Sequence, residues 1–371
     1  NEYTFLPSSV LAIEITLSHL QSQALSYLNQ WQIELHNYEL TLNDLNYILF
    51  RCAQEDGLEP YALPNFCSFT YSGLFGLMYY LEKVRHNQDQ AHPLAENLRQ
   101  GNWLSEYIVS RLRRRKSTAP LADHLEPALK RVDSLPRGMV PKYFDLIISK
   151  LYNAILDSLY SRMSVFVNKG PKLVKLLALS SVALIGECES APLPSIESKL
   201  PYLPSIAAGL PHFATGYMRN WGRDTFISLR GLLLVTGRFA EARSIILSYA
   251  RTLRNGLIPN LLDGGTKSRY NCRDAVWWWL YSIREYTKLA PNGAEILRYK
   301  VKRIHKNKPM ANGTSAPQRR RSTAQMNGHG DSSSQQLSDI IQESLECHFR
   351  GVEFVEENAG KQLDEHMKEN G

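Results

Sequence analysis

The sequence predicts an all-α protein, and three observations carry that expectation. Apolar residues recur at helical spacing over much of the 371 positions. Glycine stop signals close several of those runs, and two similar Arg-Asp words stand where helices start. Hydrophobic residues make up 43% of the chain, ample for a sizeable core. The length suits two domains or one large helical domain.

Residues 1–90 read mainly as helices. Leu17, Leu20, Ala24 and Leu28 share a face, residues 42–52 form a second apolar segment, and Leu77, Leu81 and Val84 mark a third. Residues 57–64 read as a loop. The words His92-Pro93-Leu94 and Gly101-Asn102-Trp103-Leu104 follow, where His92 and Trp103 are able to touch a ligand, although a tryptophan in a helical segment is more often core. Arg111-Leu112-Arg113-Arg114-Arg115-Lys116 is the strongest charge run. It reads as a solvated helix end before the Ser117-Thr118-Ala119-Pro120 breaker. A long helix over 143–167 carries Leu146, Ile147, Leu151, Ile155 and Leu159 on one face. Residues 192–204 are a proline-rich connection, and the domain boundary is drawn there, giving a helical connecting region 1–204 and a second domain 205–371.

The second domain is organised around two short words, Asn220-Trp221-Gly222-Arg223-Asp224-Thr225-Phe226 and Tyr270-Asn271-Cys272-Arg273-Asp274-Ala275-Val276-Trp277-Trp278-Trp279. Phe226, Leu229, Leu233 and Leu234 make a first helix that stops at Thr236-Gly237. Ala242, Ile245, Ile246, Tyr249 and Leu253 make a second, ending near Asn255-Gly256. A loop over 256–270 follows, and Asp274 opens a third helix with Val276, Leu280 and Ile283 on one face. The first and third helices then run the same way, so both words lie at one end of the bundle. Two aspartate N-caps paired with neighbouring arginines would account for each word alone. A cap has no use for tryptophan, however. Indole faces beside carboxylate and guanidinium suit a sugar ring, with C–H groups on the aromatic and hydroxyls on the charges.

After Leu297 the chain turns polar. Residues 305–338 have too few apolar side chains to bury and are expected to be disordered. Helical spacing resumes over 340–349. The chain opens at Asn1 without a secretory signal and stops after a charged amphipathic stretch, as an excised internal piece would. The apolar run 173–186 is too short and polar for a membrane span. Net charge of +7 is modest at this length, so neither nucleic-acid binding nor membrane association is expected. Five cysteines (Cys52, Cys67, Cys188, Cys272, Cys347) without C-x-x-C spacing fit reduced thiols in a cytoplasmic protein, and ten scattered histidines argue for no metal. No cofactor is expected.

Residues 207–298 closely resemble the glucosidase part of the eukaryotic glycogen debranching enzymes. The matching words are Ala208-Gly209-Leu210-Pro211-His212-Phe213, the W-G-R-D-T-F word, Arg230-Gly231, Thr236-Gly237-Arg238, Gly256-Leu257-Ile258-Pro259-Asn260-Leu261-Leu262 and R-Y-N-C-R-D-A-V-W-W-W. The words around His92 and Trp103 resemble the same family, and Asn358-Ala359-Gly360 with Gln362-Leu363-Asp364 returns to its pattern. The insert departs from it, being more basic.

That resemblance implies a partial (α/α)6 toroid of the glucoamylase type and inverting hydrolysis of an alpha-1,6-linked glucose stub on glycogen or another branched alpha-glucan. It also implies a 4-alpha-glucanotransferase activity elsewhere in the parent protein. Asp274 matches the general acid, and burial near Trp277 is expected to raise its pKa. Arg223 and Asp224 match the pair that grips outer hydroxyls of the terminal glucose. Trp221, His212, Tyr270, Asn271 and Arg273 are candidate substrate contacts. The general base is expected beyond residue 371, Asp364 being the one late carboxylate here, so the piece alone is expected to be nearly inactive. A trehalase-like inverting glycosidase of the same toroid class and a non-catalytic glycan-binding fragment remain open alternatives.

Overall fold

The computed structural model describes residues 16, 18–20, 22, 23, 26, 27, 30, 31, 33–50, 61–63, 66–69, 73–87, 91–187, 192–196, 204–206, 220–263, 267–305 and 334–352. It is all-α, with short two-stranded ribbons as the other regular elements among these residues. The chain divides into two compact units, Asn1–Ala183 and Leu184–Gly371. The boundary drawn at 204 therefore sits inside the second unit. The physical reason is visible in the proline-rich stretch itself: Leu193 is buried in the second core, and the Ser248 hydroxyl donates to the Pro194 carbonyl at 2.9 Å.

In the first unit, α1 (Leu42–Phe50), the hairpin β1 (Tyr61–Leu63) and β2 (Cys67–Phe69), α2 (Leu74–Asn87), α3 (Pro93–Gln100), α4 (Trp103–Arg113) and α5 (Ala119–Asp133) precede the long α6 (Val140–Ser161), short α7 (Val165–Asn168) and α8 (Lys172–Leu184). The hairpin replaces part of the loop expected over 57–64. Helix α6 forms because Tyr143, Phe144, Ile147, Ile148, Leu151, Ile155 and Leu159 repeat every three or four residues, and all are buried. It packs against α1, α2, α3 and α5. Leu146, placed by the spacing on that face, is partly exposed instead.

Two expectations for this unit need correction. The basic run is not simply a solvated end: Arg111 is buried, its guanidinium lies 4.8 Å from the Tyr47 ring centroid, and its Nη2 donates to the Tyr47 carbonyl at 3.0 Å. Arg113 meets Asp123 and Glu126 on α5. Trp103 is 51% exposed rather than core, because it opens α4 instead of lying on its inner face. His92 caps α3, its Nδ1 accepting from the Leu94 N–H at 3.1 Å.

The second unit begins with β3 (Ile185–Gly186) paired to β4 (Ser205–Ile206). Helix α9 (Gly222–Leu229) runs into one widened π turn over Arg230–Leu234; α10 (Phe239–Thr252), the hairpin β5 (Leu261–Asp263) and β6 (Lys267–Arg269), and α11 (Ala275–Leu289) follow. The expected stop signals hold: Gly237, Asn255 and Gly256 all have positive φ. After a 3-10 turn over Gly293–Arg298, β7 (Lys300–Lys302) pairs antiparallel with β8 (Ser334–Gln336), which leads into α12 (Leu337–Arg350). The polar stretch is thus shorter than drawn. Leu337 and Ile340 are both buried, so the helix starts at the first apolar residue that can reach the core. Residues 306–333, and Asn358–Asp364 after them, lie outside the described residues.

Phe226, Leu229, Leu233, Ile245, Ile246, Tyr249, Val276, Trp279 and Ile283 are all buried in this core. Three links tie α9 and its π turn to α11: Arg223 to Asp274, the Ser282 hydroxyl to the Phe226 carbonyl, and Arg230 to Glu285. The partners advance along both helices in the same order, so the two helices are parallel. Among the described residues, no helix is long and apolar enough to cross a membrane.

Candidate active site at two helix starts

The first word is fixed by backbone pairing. Trp221 is extended and bridges Leu261, the Gly222 N–H donates to the Asn260 carbonyl at 2.6 Å, and the Leu262 N–H donates to the Asn220 carbonyl at 3.0 Å. The hairpin β5–β6, expected as a loop, is therefore the support for the start of α9. Gly222 is required there, since a Cβ would stand 2.1 Å from the Pro259 carbonyl oxygen. Behind it the Tyr249 hydroxyl donates to Asn220 Oδ1 at 2.9 Å. Arg223 and Asp224 emerge exposed on the first turn, with Thr225 and Phe226 turned inward.

The second word starts α11. Asp274 occupies the N-cap position, and its carbonyl accepts from the Trp277 N–H at 3.0 Å. Its carboxylate makes no cap hydrogen bond. The capping explanation therefore fails for this aspartate. Instead Arg223 donates through Nε to Asp274 Oδ1 at 2.8 Å, its Nη2 lies 2.8 Å from the same oxygen, and the Cys272 thiol donates to it at 2.6 Å. Asp224 sits in the first turn of α9, where Trp221 holds the cap position.

Electrostatics follow from those contacts. The Cys272 thiol, then Arg223, hold the Asp274 carboxyl below the usual carboxylate value, against a smaller opposing effect of burial. The expected upward shift is not found, because Asp274 is 48% exposed and faces donors rather than an apolar wall. Burial, and then Asp274, push the Cys272 thiol up.

The three tryptophans part company. Trp279 is fully buried, its indole donating to the Ile246 carbonyl at 3.1 Å, while Trp277 is 45% and Trp278 36% exposed. Trp277 stacks on His348 of α12 with centroids 4.5 Å apart, and Trp278 meets Tyr281 edge-on at 6.1 Å. A carboxylate and guanidinium thus border exposed indoles, the combination that suits a sugar. On the opposite end, Glu285 accepts from both Arg230 and Arg284 at 3.0 Å and braces α11 against the π turn.

Of the remaining sequence candidates, Trp221 is partly exposed, and Asn271 and Arg273 are exposed on the approach to Asp274. Tyr270 is buried, and its hydroxyl is used on the Thr252 carbonyl. His212 lies outside the described residues. Sequence reasoning missed two neighbours. Cys272 was legible, standing two positions before Asp274 inside the word; His348 was not, since helical spacing gives no hint that α12 returns to Trp277.

The fold is all-helical, and it gathers a carboxylate, a guanidinium and partly exposed indoles at two helix starts. Residues 179–370 match the family model described as amylo-alpha-1,6-glucosidase, and residues 1–112 match the one described as the central domain of human glycogen debranching enzyme. The chain belongs to the amylo-alpha-1,6-glucosidase family. It is 39% identical over 343 residues to the glycogen debranching enzyme of Saccharomyces cerevisiae, a match covering 90% of this chain and 21% of that protein. The chain therefore spans about a fifth of the length of the curated relative it matches.

Proposed function

We propose that this chain carries the acid half of an inverting alpha-1,6-glucosidase site in a cytoplasmic glycogen debranching enzyme. The substrate is the single alpha-1,6-linked glucose stub of a glycogen limit dextrin. Asp274 is the general acid that protonates the leaving glycosidic oxygen. A carboxylate supplied from outside residues 1–371 activates water on the opposite face, about 6.5–9.5 Å away across the sugar. Closure of the (α/α)6 toroid and the 4-alpha-glucanotransferase activity belong to the rest of the parent protein. No cofactor takes part.

The observation that supports this reading best is the direct bond between Arg223 and Asp274, residues 51 positions apart and each in a different Arg-Asp word. It brings the hydroxyl-gripping pair and the acid to one place beside exposed indoles. Arg223 and Asp224 take the outer hydroxyls of the terminal glucose, Trp221, Asn271 and Arg273 line the approach, and His212 is a further candidate contact, while buried Tyr270 supports the second word from behind. When Arg223 turns from Asp274 to the sugar, the carboxyl loses a charged donor as substrate excludes water. Both changes raise its proton affinity, which an acid at neutral pH requires.

The test uses the full-length protein carrying this sequence. Asp274→Asn is expected to lower glucose release from a limit dextrin by roughly 10²–10⁴-fold while glycogen binding persists. Isomaltose-type substrates should be cleaved and trehalose should not. Undiminished turnover in Asp274→Asn, or preference for trehalose, overturns the assignment. Brisk glucose release by residues 1–371 alone overturns the placement of the base.

A further inference from the structure

A buried cysteine ordinarily serves as a small apolar filler. Cys272 is 4% exposed, yet its Sγ is directed at a carboxylate rather than at core side chains. The Asp274 carboxylate accepts on Oδ1 from Arg223 Nε at 2.8 Å and from Cys272 Sγ at 2.6 Å. Arg223 Nη2 adds its charge to the same atom from 2.8 Å. The Trp278 side chain also hydrogen-bonds the carboxyl and favours its charged form, with the smallest effect of the three.

We propose that Cys272 is a positioning residue for the acid: its S–H, on a short tether two residues upstream, fixes Oδ1, so Oδ2 carries the proton delivered to the leaving oxygen. This rests on Asp274 being the general acid. Arg223 has a second task on the sugar hydroxyls, and when it leaves, the thiol and Trp278 remain as donors, the thiol being the one seated on Oδ1. The thiol can do this because burial keeps it protonated. Charged or titratable groups at this end also include Asp224 on α9, Arg273 beside Asp274, and His348 from α12 against Trp277; α12 further carries Glu343, Glu346, Cys347 and Arg350, and α11 carries Tyr281, Arg284 and Glu285. None of these replaces a donor aimed at Oδ1.

The experiment is the pH profile of kcat/KM for glucose release by the full-length protein, compared with Cys272→Ala, Cys272→Val and Cys272→Ser. A general acid must be protonated, and the thiol donor favours its charged form. Removing that donor in the Ala and Val variants should move the alkaline limb up by roughly half a pH unit or more, with kcat reduced. Cys272→Ser keeps a donor and should return the limb toward the parent's position. An unmoved limb in a folded Ala or Val variant overturns the proposal. Should neither fold, infrared difference spectra of the parent against Asp274→Asn decide. A hydrogen-bonded S–H band that shifts with Asp274 upholds the proposal, and an unchanged S–H band overturns it. Loss of the Asp274 assignment is distinguished by Asp274→Asn itself: retained turnover there removes the acid, whereas lost turnover with an unmoved Cys272→Ala limb removes only the role of the thiol.

Discussion

Arg223 reaches Asp274 with two nitrogens, and both lie 2.8 Å from a single oxygen, Oδ1. The fork is spent on one atom instead of spanning the carboxylate. The arrangement joins the starts of α9 and α11 and joins the two words that the sequence repeats.

Replacing the fork should cost more than its charge. Arg223→Lys keeps the positive charge but cannot deliver two N–H groups in fixed geometry. Glucose release by the full-length protein is expected to fall roughly 10²-fold in kcat/KM. Parent-like kinetics would mean that the guanidinium grips neither acid nor sugar.

The lowered pKa of Asp274 gives a signed pH prediction. The profile of kcat/KM reports the free enzyme, where thiol and Arg223 favour the carboxylate; that of kcat reports the complex. If sugar draws Arg223 away, the alkaline limb of kcat lies at higher pH than that of kcat/KM. Coincident limbs would show that Arg223 stays on Asp274 throughout.

Gly222→Ala tests the support beneath the site. The new methyl would meet the Pro259 carbonyl at 2.1 Å, so the backbone bond to Asn260 has to open. A loss of about 1–3 kcal/mol is expected in denaturant unfolding, together with weakened turnover as Arg223 is displaced. An unperturbed melt would contradict the close approach described.

Adjacent tryptophans should respond in opposite ways. Trp279→Ala removes a fully buried ring and should cost about 3–5 kcal/mol of stability. Trp277→Ala removes an exposed ring and should leave the melt nearly unchanged while raising KM for branched glucan about 3–10-fold, as one lost aromatic contact would. Equal effects on both measurements would argue against an indole surface for sugar.

The helices of the second unit were legible because Phe226, Leu229, Ile245, Ile246, Val276 and Ile283 keep a strict spacing and Gly237 and Gly256 punctuate it. The parallel course of α9 and α11 followed from counting those helices. The hairpin over 261–269 escaped notice since it is held by pairing to Asn220 and Gly222, forty residues earlier, and no local pattern announces such a partner. For Asp274 the expected rise in pKa is not seen: the neighbouring tryptophans suggested an apolar wall, whereas two of the three are partly exposed and the nearest groups are donors. Arg111 and Trp103 were misplaced because charge and size were read without knowing which face of α4 meets Tyr47.

The ribbon of β7 and β8 sets Lys302 opposite Ser334, with Ile304 anchored to the Arg251 carbonyl and Arg303 clamped by Glu343. Lys302 and Ser334 are thereby held side by side, and both strands are tied to the rest of the second unit. With both ends held in place, a change in the length of a flexible connection between such points alters closure by only about 0.6 kcal/mol per doubling. The paired ends, rather than the sequence joining them, therefore keep α12 seated beside α10.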